Sequence, residues 1–317
     1  SELSLYRINL ELKTLSEISS CEIKIVPILG SINNKKHFEE TIRNFKIDTV
    51  YHAAAYKHVT LIENNISAGV RNNIFGTLNV AQAALSQNVK HFILISTDKA
   101  VRPTSVMGAT KRIAEMIIQG LSQQNQQLAG DQELTTRFVI VRFGNVLGSS
   151  GSVIPLFQQQ IAAGGPITIT HPEATRYFMT ISEASQLVIQ AGSMGDNCSV
   201  FVLDMGDPVS ILSLAKQMVY LSGHLLKSDQ NVENDSGIAI KYTGMQKGEK
   251  IHEELFIGEN ITVTKHPMIM KAQEDFFGWS DIEGMLTELE SQYGLGEDKM
   301  QQLLMQYAIK KTDDKLA

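Results

Sequence analysis

Several features that would point to particular classes of protein are missing from this sequence. It has only two cysteines, Cys21 and Cys198, which lie far apart, and this argues against a disulfide scaffold and against a thiolate metal site. It has no run of Lys or Arg, and its formal net charge is -6, so we expect no binding to nucleic acid. No apolar run approaches the roughly 20 residues that span a bilayer. These absences predict a cytoplasmic chain.

What is present is an alternation of short apolar runs with longer helical patterns. The runs lie at residues 24–30, 48–55, 91–97 and 138–146, and their nearly continuous apolarity is typical of parallel strands buried on both faces. The helical stripes between them consist of Ile74, Leu78, Ala81 and Leu85, and of Ile113, Ile117 and Leu121. The pattern predicts an α/β fold with a doubly wound parallel sheet.

The second half of the chain follows a looser pattern. Two glycines and a proline at residues 164–166 break the chain, and further strands are predicted at residues 200–206 and 238–244. We therefore divide the chain into residues 1–165, which hold the doubly wound sheet, and residues 166–317, a smaller C-terminal region. Some later strands and helices are expected to return to the first part.

A glycine-rich turn is also missing. A doubly wound dinucleotide-binding fold uses such a turn, after its first strand, to bind the pyrophosphate. Neither GxGxxG nor GxxGxxG occurs, and the chain opens at residues 1–12 with an amphipathic helical pattern. We therefore expect the first strand and its turn to belong to a longer protein, and this chain alone to hold no dinucleotide.

The densest group of reactive side chains lies at residues 95–112, beginning at the C-terminal end of a predicted strand. Ligands of open α/β sheets bind at that edge. Thr97, Asp98 and Lys99 follow one another there, and Lys111 lies on a following helix. A hydroxyl, a carboxylate and two amines in one place can move protons. The alternative is a polar turn followed by a surface helix.

Longer blocks carry a resemblance to a known family. They are HAAAYKHV (52–59), NNIFGTLNV (72–80), STDKAV (96–101), MGATKR (107–112), VRFGNVLGSSGSVIP (141–155), TRYFMT (175–180) and GEKIHEEL (248–255). Through these blocks the chain resembles the UDP-N-acetylglucosamine 4,6-dehydratases of the polysaccharide-biosynthesis group of extended short-chain dehydrogenases/reductases. Met107 stands where that superfamily usually has a tyrosine, which is similar to the membrane-associated, stereochemistry-retaining branch.

The resemblance implies a Rossmann-like fold with a tightly bound NAD that is recycled in each turnover. Residues 1–165 would be the dinucleotide-binding domain, without its first strand and glycine-rich turn, and residues 166–317 mainly the substrate-binding region. The implied reaction is the 4,6-dehydration of a UDP-N-acetylhexosamine to its 4-keto-6-deoxy sugar, for bacterial surface polysaccharide or glycan biosynthesis. A homo-oligomer is expected, with a cytoplasmic catalytic domain tethered to the inner membrane through a segment outside this sequence.

The resemblance also assigns roles to individual residues. The catalytic group is Thr97, Asp98, Lys99, Met107 and Lys111. We assign Lys99 as the base at carbon 5 and Asp98 as the acid at the departing hydroxyl, with a water held by Thr97 or Asp98 in place of the tyrosine. The cofactor-binding residues are Ala53, Ala54, Ala55, Asn73, Ser96, Lys111 and Phe143. The substrate-binding residues are Lys57, Asn145, Ser152, Val153, Thr168, Thr170, Arg176 and Lys247.

Each assignment has a plainer alternative. The alanines at 53–55 let a cofactor approach the main chain, or they serve strand-helix packing. Asn145 and the glycines and serines after it leave backbone N–H groups free for a phosphate or a sugar hydroxyl, or they form a simple loop. The planar fork of Arg176 suits a pyrophosphate, or it is a surface arginine. Asn73 is expected to act as support.

The sequence departs from the family pattern at two places. Relatives carry an acidic residue that meets adenine after the glycine of the third strand, but here Ser31 follows Gly30. Relatives also carry an arginine before the GEK motif, where Lys247 is the available cation, and a lysine does not reproduce bidentate geometry. The histidines are scattered, so we predict no metal site.

Three other functions remain open. A nucleotide-sugar 4-epimerase has the same fold and cofactor but needs no acid-base pair to eliminate water, so residues 96–99 count against it. A catalytically inactive NAD(P)-binding relative is suggested by Met107 and opposed by Asp98, Lys99 and Lys111. An interaction domain of a larger membrane protein is the third alternative.

Overall fold

The structure is a computed structural model that describes residues 1–19, 23–129, 136–196, 198–227, 237–256, 261–274, 277–294 and 296–309. Cys21 lies outside these residues. The α-helices are α1 (Glu2–Ser19), α2 (Lys35–Phe45), α3 (Val59–Glu63), α4 (Ile66–Gly69), α5 (Gly76–Ser86), α6 (Val106–Ala129), α7 (Val153–Ala162), α8 (Ile181–Met194), α9 (Ile211–Leu221), α10 (Trp279–Ser291) and α11 (Glu297–Ile309). A π-helical turn (Val70–Phe75) joins α4 to α5, and a 3-10 turn (Asp98–Ala100) precedes α6.

The strands form one large sheet and three small ones. They are β1 (Thr49–His52), β2 (His91–Thr97), β3 (Arg137–Phe143), β4 (Asn145–Val146), β5 (Ile167–Ile169), β6 (Thr175–Arg176), β7 (Phe178–Met179), β8 (Ser199–Leu203), β9 (Val209–Ser210), β10 (Ile240–Tyr242), β11 (Ile261–Val263) and β12 (Ile269–Ala272). The large sheet has the order β1-β2-β3-β8-β12-β11. Its first four strands are parallel, and β12 and β11 add antiparallel pairs.

Helices cover both faces of this sheet. Successive side chains of a strand point to opposite faces, so on β2 Ile93 faces Gly192 of α8, whereas Ser96 donates a hydrogen bond to Glu115 of α6. The predicted α/β class is therefore confirmed. The helical stripes are also confirmed: Ile74, Ala81, Ile113, Ile117 and Leu121 are buried, and Leu78 and Leu85 pack against the core.

One predicted strand is wrong. Residues 23–30 form no strand, and their apolar side chains are exposed, with Ile23 at 63% and Leu29 at 61%. An apolar run has the composition of a strand, but a strand also requires a partner for its backbone hydrogen bonds. This segment pairs with no strand in the described part of the chain. The predicted strand at 238–244 exists as β10, which joins β5 in a separate two-stranded sheet.

The chain packs around two cores. The larger core surrounds the six-stranded sheet. The smaller core lies among α7, α9 and β5, and its members are Phe157, Ile161, Ile167, Ile169, Ala174, Ile211, Ala215, Val219 and Ile238. The boundary at residue 165 stays a prediction. α7 precedes this boundary in sequence, yet it packs into the smaller core together with later elements. No helix among the described residues has the length and apolarity to cross a membrane.

Candidate active site

The candidate site lies at the C-terminal edge of the parallel strands. β2 ends at Thr97, which is paired with Phe143 at the end of β3. The 3-10 turn follows at once, and the Thr97 hydroxyl caps it by accepting a hydrogen bond from the backbone of Lys99 at 3.4 Å. Because parallel strands bring their carboxyl ends to one edge, the segments after β1, β2 and β3 meet there.

Two cavities open at this edge, and we call them the inner and the outer cavity. The inner cavity has a volume of about 350 Å³. The predicted site residues that line it are Ala53, Ala55, Lys57, Ser96, Thr97, Lys99, Met107, Lys111, Phe143, Asn145 and Ser152. It therefore brings together most of the residues that the sequence assigned to catalysis and to the cofactor.

The outer cavity has a volume of about 380 Å³. The predicted residues that line it are Lys99, Asn145, Ser152, Val153, Thr168, Thr170 and Arg176. Four residues line both cavities, namely Lys99, Asn145, Gly151 and Ser152. Lys99 therefore stands where the two cavities meet, accessible to a ligand in either one.

Asp98 lies behind this junction and is fully buried. Its Oδ1 accepts hydrogen bonds from the Thr97 hydroxyl at 2.7 Å and from the Lys99 ammonium at 3.0 Å. Its Oδ2 is buried with no hydrogen-bond partner among the described residues, and a Cβ added at Gly144 would lie 3.1 Å from it. The hydrogen bonds to this carboxylate are therefore concentrated on one of its two oxygens.

Lys99 makes two further contacts. Its ammonium donates to Oδ1 of Asn145 at 3.3 Å and lies 3.6 Å from Oε1 of Glu253. Burial lowers the pKa of Lys99, but Asp98 and Glu253 together outweigh burial and Arg176, so the net effect raises that pKa. Lys99 is therefore an ammonium in this structure. Among the described residues, the cation that lowers this pKa is Arg176.

Lys111 differs from Lys99 in its surroundings. Its ammonium donates to the carbonyl oxygen of Ile95 at 2.6 Å. Burial lowers the pKa of Lys111 to about 8, with Glu115 acting in the opposite direction. Burial, together with the nearby Lys111 charge, also lowers the pKa of His52 to about 3. His52 is therefore neutral at neutral pH, and its Nε2 shares a hydrogen bond with Thr77 at 3.0 Å.

Arg176 is held by backbone. Its NH1 group donates to the carbonyl oxygens of Thr175 at 2.7 Å and of Ile251 at 2.9 Å. Glu249 and Glu253 lie farther away, at 3.8 Å and 3.9 Å from its nitrogens. The guanidinium is thus fixed at the wall of the outer cavity by neutral carbonyls, and the carboxylates of Glu249 and Glu253 lie within ion-pair distance of it.

Besides Asp98, which lies behind the junction, three predicted residues line neither cavity in the described part of the chain. Asn73 is buried and acts as support, since its amide accepts from Tyr56 N at 2.8 Å and donates to Tyr56 O at 3.0 Å. Ala54 lies between two lining residues. Lys247 is 72% exposed, and its ammonium donates to Gln301 at 3.0 Å instead. The outer cavity is lined by Gln246, the residue before it.

Two charged residues of the site, Glu249 and Glu253, both of which line the outer cavity, were not predicted from the sequence. Their block, residues 248–255, had been recognised, but it contains three glutamates and no spacing rule singles one out. The structure separates them, because Glu253 is buried against Lys99 while Glu254 is partly exposed and pairs with Arg102 at 3.4 Å.

The chain is similar to known proteins of polysaccharide biosynthesis. Residues 1–274 match the family described as Polysaccharide biosynthesis protein. The chain is 52% identical over 293 residues to the "Capsular polysaccharide biosynthesis protein CapD" of Staphylococcus aureus, covering 91% of this chain and 45% of that protein. It is 49% identical over 227 residues to the "Probable polysaccharide biosynthesis protein EpsC" of Bacillus subtilis (strain 168), covering 72% and 35%. The chain thus spans less than half the length of both relatives.

A more distant relative and two solved structures extend the comparison. The "UDP-glucose 4-epimerase" of Rickettsia rickettsii (strain Sheila Smith) is 33% identical over 233 residues, covering 74% of this chain and 62% of that protein. The X-ray structure of Pen from Bacillus thuringiensis superposes with a TM-score of 0.72 at 30% identity, covering 91% and 88%. DesIV, a dTDP-glucose 4,6-dehydratase from Streptomyces venezuelae with NAD and TYD bound, has a TM-score of 0.58 at 18% identity, covering 71% and 69%.

Proposed function

The chain belongs to the polysaccharide biosynthesis protein family, and from this premise we propose that it supplies the catalytic residues of an NAD-dependent 4,6-dehydratase acting on a UDP-N-acetylhexosamine, with UDP-N-acetylglucosamine as the substrate. The observation that carries the proposal is the Asp98–Lys99 pair at the junction of two cavities. Eliminating water from a hexose requires a base at carbon 5 and an acid at the carbon 6 hydroxyl, and these two side chains supply both.

The inner cavity fits the nicotinamide end of NAD. Ala53 and Ala55 leave the main chain open on one side, and the ammonium of Lys111 offers a donor for ribose hydroxyls on the other. The glycine-rich turn for the pyrophosphate is not in this sequence, so the fit concerns the nicotinamide end alone. DesIV, which has NAD bound, is the precedent for this cofactor.

NAD, when bound, supplies a hydride acceptor for carbon 4 and a hydride donor for carbon 6. The residues of the chain then have two protons to move. One passes from the hydroxyl on carbon 4 to the hydroxyl that leaves carbon 6 as water, and the other leaves carbon 5 and is later replaced there. The arrangement of Thr97, Asp98 and Lys99 accounts for both.

The first proton passes from the carbon 4 hydroxyl to Asp98. Met107 lines the inner cavity, but a thioether does not accept a proton as a tyrosinate does. Thr97 lines the same cavity and donates to Asp98 at 2.7 Å, so it, or a water that it holds, relays the proton to the carboxylate. Asp98 then carries the proton that the carbon 6 hydroxyl needs on leaving.

This transfer also prepares Lys99 for its own step. Asp98 is one of the two carboxylates that raise the pKa of Lys99. When Asp98 becomes neutral, that attraction disappears and the pKa of Lys99 falls. Lys99 then releases a proton to solvent, and the free amine acts as the base at carbon 5 and returns a proton there after carbon 6 has been reduced.

The test is conversion of UDP-N-acetylglucosamine in D₂O by the full-length protein, which supplies the glycine-rich turn that this chain lacks, with NAD present and the product identified by NMR. We expect a 4-keto-6-deoxy sugar with deuterium at carbon 5. Lys99→Ala should lower that exchange by about 100-fold or more, whereas Lys90→Ala, at an exposed surface pair with Asp48, should not. No conversion, or a product without deuterium at carbon 5, would overturn the proposal.

The second candidate is a nucleotide-sugar 4-epimerase. It is favoured by the 33% identity to the Rickettsia rickettsii UDP-glucose 4-epimerase. Epimerisation moves a hydride and a proton at carbon 4 alone. It needs no base at carbon 5, so Lys99 would have no role in the reaction. UDP-N-acetylgalactosamine as the product of the same incubation would decide for this candidate.

A further inference from the structure

Glu253 lies between the two cations of the junction. Its Oε1 is 3.6 Å from the ammonium of Lys99 and 3.9 Å from Nε of Arg176. Its side chain is 4% exposed, and its Oε2 is buried without a hydrogen-bond partner in the described residues. The proposed mechanism gives this carboxylate no task, although a buried charge is costly to keep even when it is paired.

We propose that Glu253 is a positioning residue that holds Lys99 at the junction of the two cavities and stabilises the positive charge that develops there as the carbon 5 proton is removed. This inference rests on the proposed dehydration. In that step the bond between carbon 5 and its hydrogen breaks, an N–H bond forms at Nζ, and the electron pair stays on the sugar, delocalised toward the ketone. A fixed negative charge beside Nζ favours the charged product of this transfer.

The charged groups around Lys99 show why Glu253 matters at this step. Among the described residues they are Asp98 on the same turn, Glu253 from the segment after β10 and Arg176 on β6, and neutral Asn145 of β4 adds an acceptor. Burial and Arg176 lower the pKa of Lys99, while Asp98 and Glu253 raise it. Once Asp98 has taken up a proton, Glu253 is the anion of this group that remains charged.

Glu253→Gln removes the charge and keeps the shape, and Glu254→Gln is the matched control on a partly exposed neighbour. The pKa of Lys99 is measured from the pH dependence of its acetylation, followed by mass spectrometry. We expect Glu253→Gln to lower that pKa by about one unit or more, the size of effect that an opposite charge at this distance produces. Glu254→Gln should leave it unchanged.

The rate of deuterium exchange at carbon 5 gives a second readout. In Glu253→Gln the rise of this rate with pH should move to lower pH, because the amine loses its proton more easily. The plateau at high pH should fall about tenfold, because the free amine is a weaker base. KM should change less, since Arg176 keeps its bonds to the carbonyls of Thr175 and Ile251. A purely structural residue would not shift the pH dependence.

A pKa of Lys99 that is the same in Glu253→Gln and Glu254→Gln would overturn the inference. If Glu253→Gln does not fold, Glu253→Asp moves the charge away by one methylene, and an unchanged Lys99 pKa in that variant overturns it equally. If the wild-type protein fails to exchange carbon 5 or to dehydrate the sugar, the proposed function fails, but the acetylation measurement still decides the role of Glu253.

Discussion

At the residue scale, the first proton transfer depends on a hydroxyl and a carboxylate rather than on a tyrosine. Met107 is 3% exposed and lines the inner cavity, where its thioether accepts no proton. Thr97 lines the same cavity and is hydrogen-bonded to Asp98. The two side chains form a path from the cavity to a fully buried carboxylate, and this path is open to a direct test.

We expect Thr97→Val to slow the oxidation at carbon 4 by about 100-fold, because the variant keeps its shape but loses the relay to Asp98. In a Met107→Tyr background, Thr97→Val should slow this oxidation much less, since a tyrosine one turn before Lys111 provides another proton acceptor. The measurement is the single-turnover appearance of reduced cofactor in the four proteins. Met107→Leu is the control for the altered packing, and an equal loss from Thr97→Val in both backgrounds would refute the relay.

Residues that are close in sequence were the ones that the sequence predicted well. Thr97, Asp98 and Lys99 are adjacent, and Lys111 follows on the next helix, so their meeting at a strand end depended only on local structure. The contact of Lys99 with Glu253 joins residues more than 150 positions apart. This contact depends on how the segment after β10 folds back over the site, and the periodicity of the sequence does not predict that path.

At the scale of elements, the site depends on the close approach of α6 to the turn that carries Lys99. Gly108 lies in the first turn of α6, and a Cβ added to it would lie 2.3 Å from the carbonyl oxygen of Lys99. The atom it would meet is backbone, which cannot rotate away as a side chain does. The glycine at position 108 therefore permits the close approach of α6 to the turn that carries Lys99.

Gly108→Ala should lower the free energy of unfolding by about 1–3 kcal/mol, the usual cost of overpacking, and should also disturb activity. Gly284→Ala is the matched control, because this glycine is exposed in α10 and a Cβ there would meet nothing within 4 Å. It should raise the free energy of unfolding by about 0.5–1 kcal/mol through helix propensity. Urea unfolding of both variants makes the comparison, and a Gly108→Ala protein as stable and active as the wild type would contradict the close approach.

Elements were predicted more reliably than their partners. The strands β1, β2, β3 and β8 all lie within the predicted apolar runs or one residue from them. Two apolar runs show where this prediction fails. The run at residues 24–30 has no strand partner in the described residues, and the run that contains β10 pairs with β5 outside the main sheet. Composition selects a strand, but hydrogen bonding between distant segments decides whether it joins the sheet.

At the scale of the whole molecule, four buried charges join the sheet, α6 and the segment after β12. Glu274 accepts from Arg112 at 2.7 Å and from both terminal nitrogens of Arg142. Glu115 accepts from Nε of Arg142 at 2.7 Å and from the hydroxyl of Ser96 at 2.6 Å. The network therefore reaches the strand that ends at the site, and its members come from three distant parts of the sequence.

This network should make the protein sensitive to acid. Burial raises the pKa of Glu274, but Arg142 and Arg112 outweigh it and hold that pKa at about 2, below its ordinary value of 4.5. A carboxyl with a depressed pKa in the folded state stabilises the fold fully above its unfolded pKa, and this contribution is lost as the pH falls from about 4.5 toward 2.

Glu274→Gln leaves two buried arginines short of a carboxylate and should lower the free energy of unfolding by about 3–5 kcal/mol at pH 7. Urea unfolding at pH 7 and pH 3 measures both effects, and we expect the gap between wild type and Glu274→Gln to narrow at pH 3. If the two proteins lose stability in parallel over that range, Glu274 does not supply the acid sensitivity.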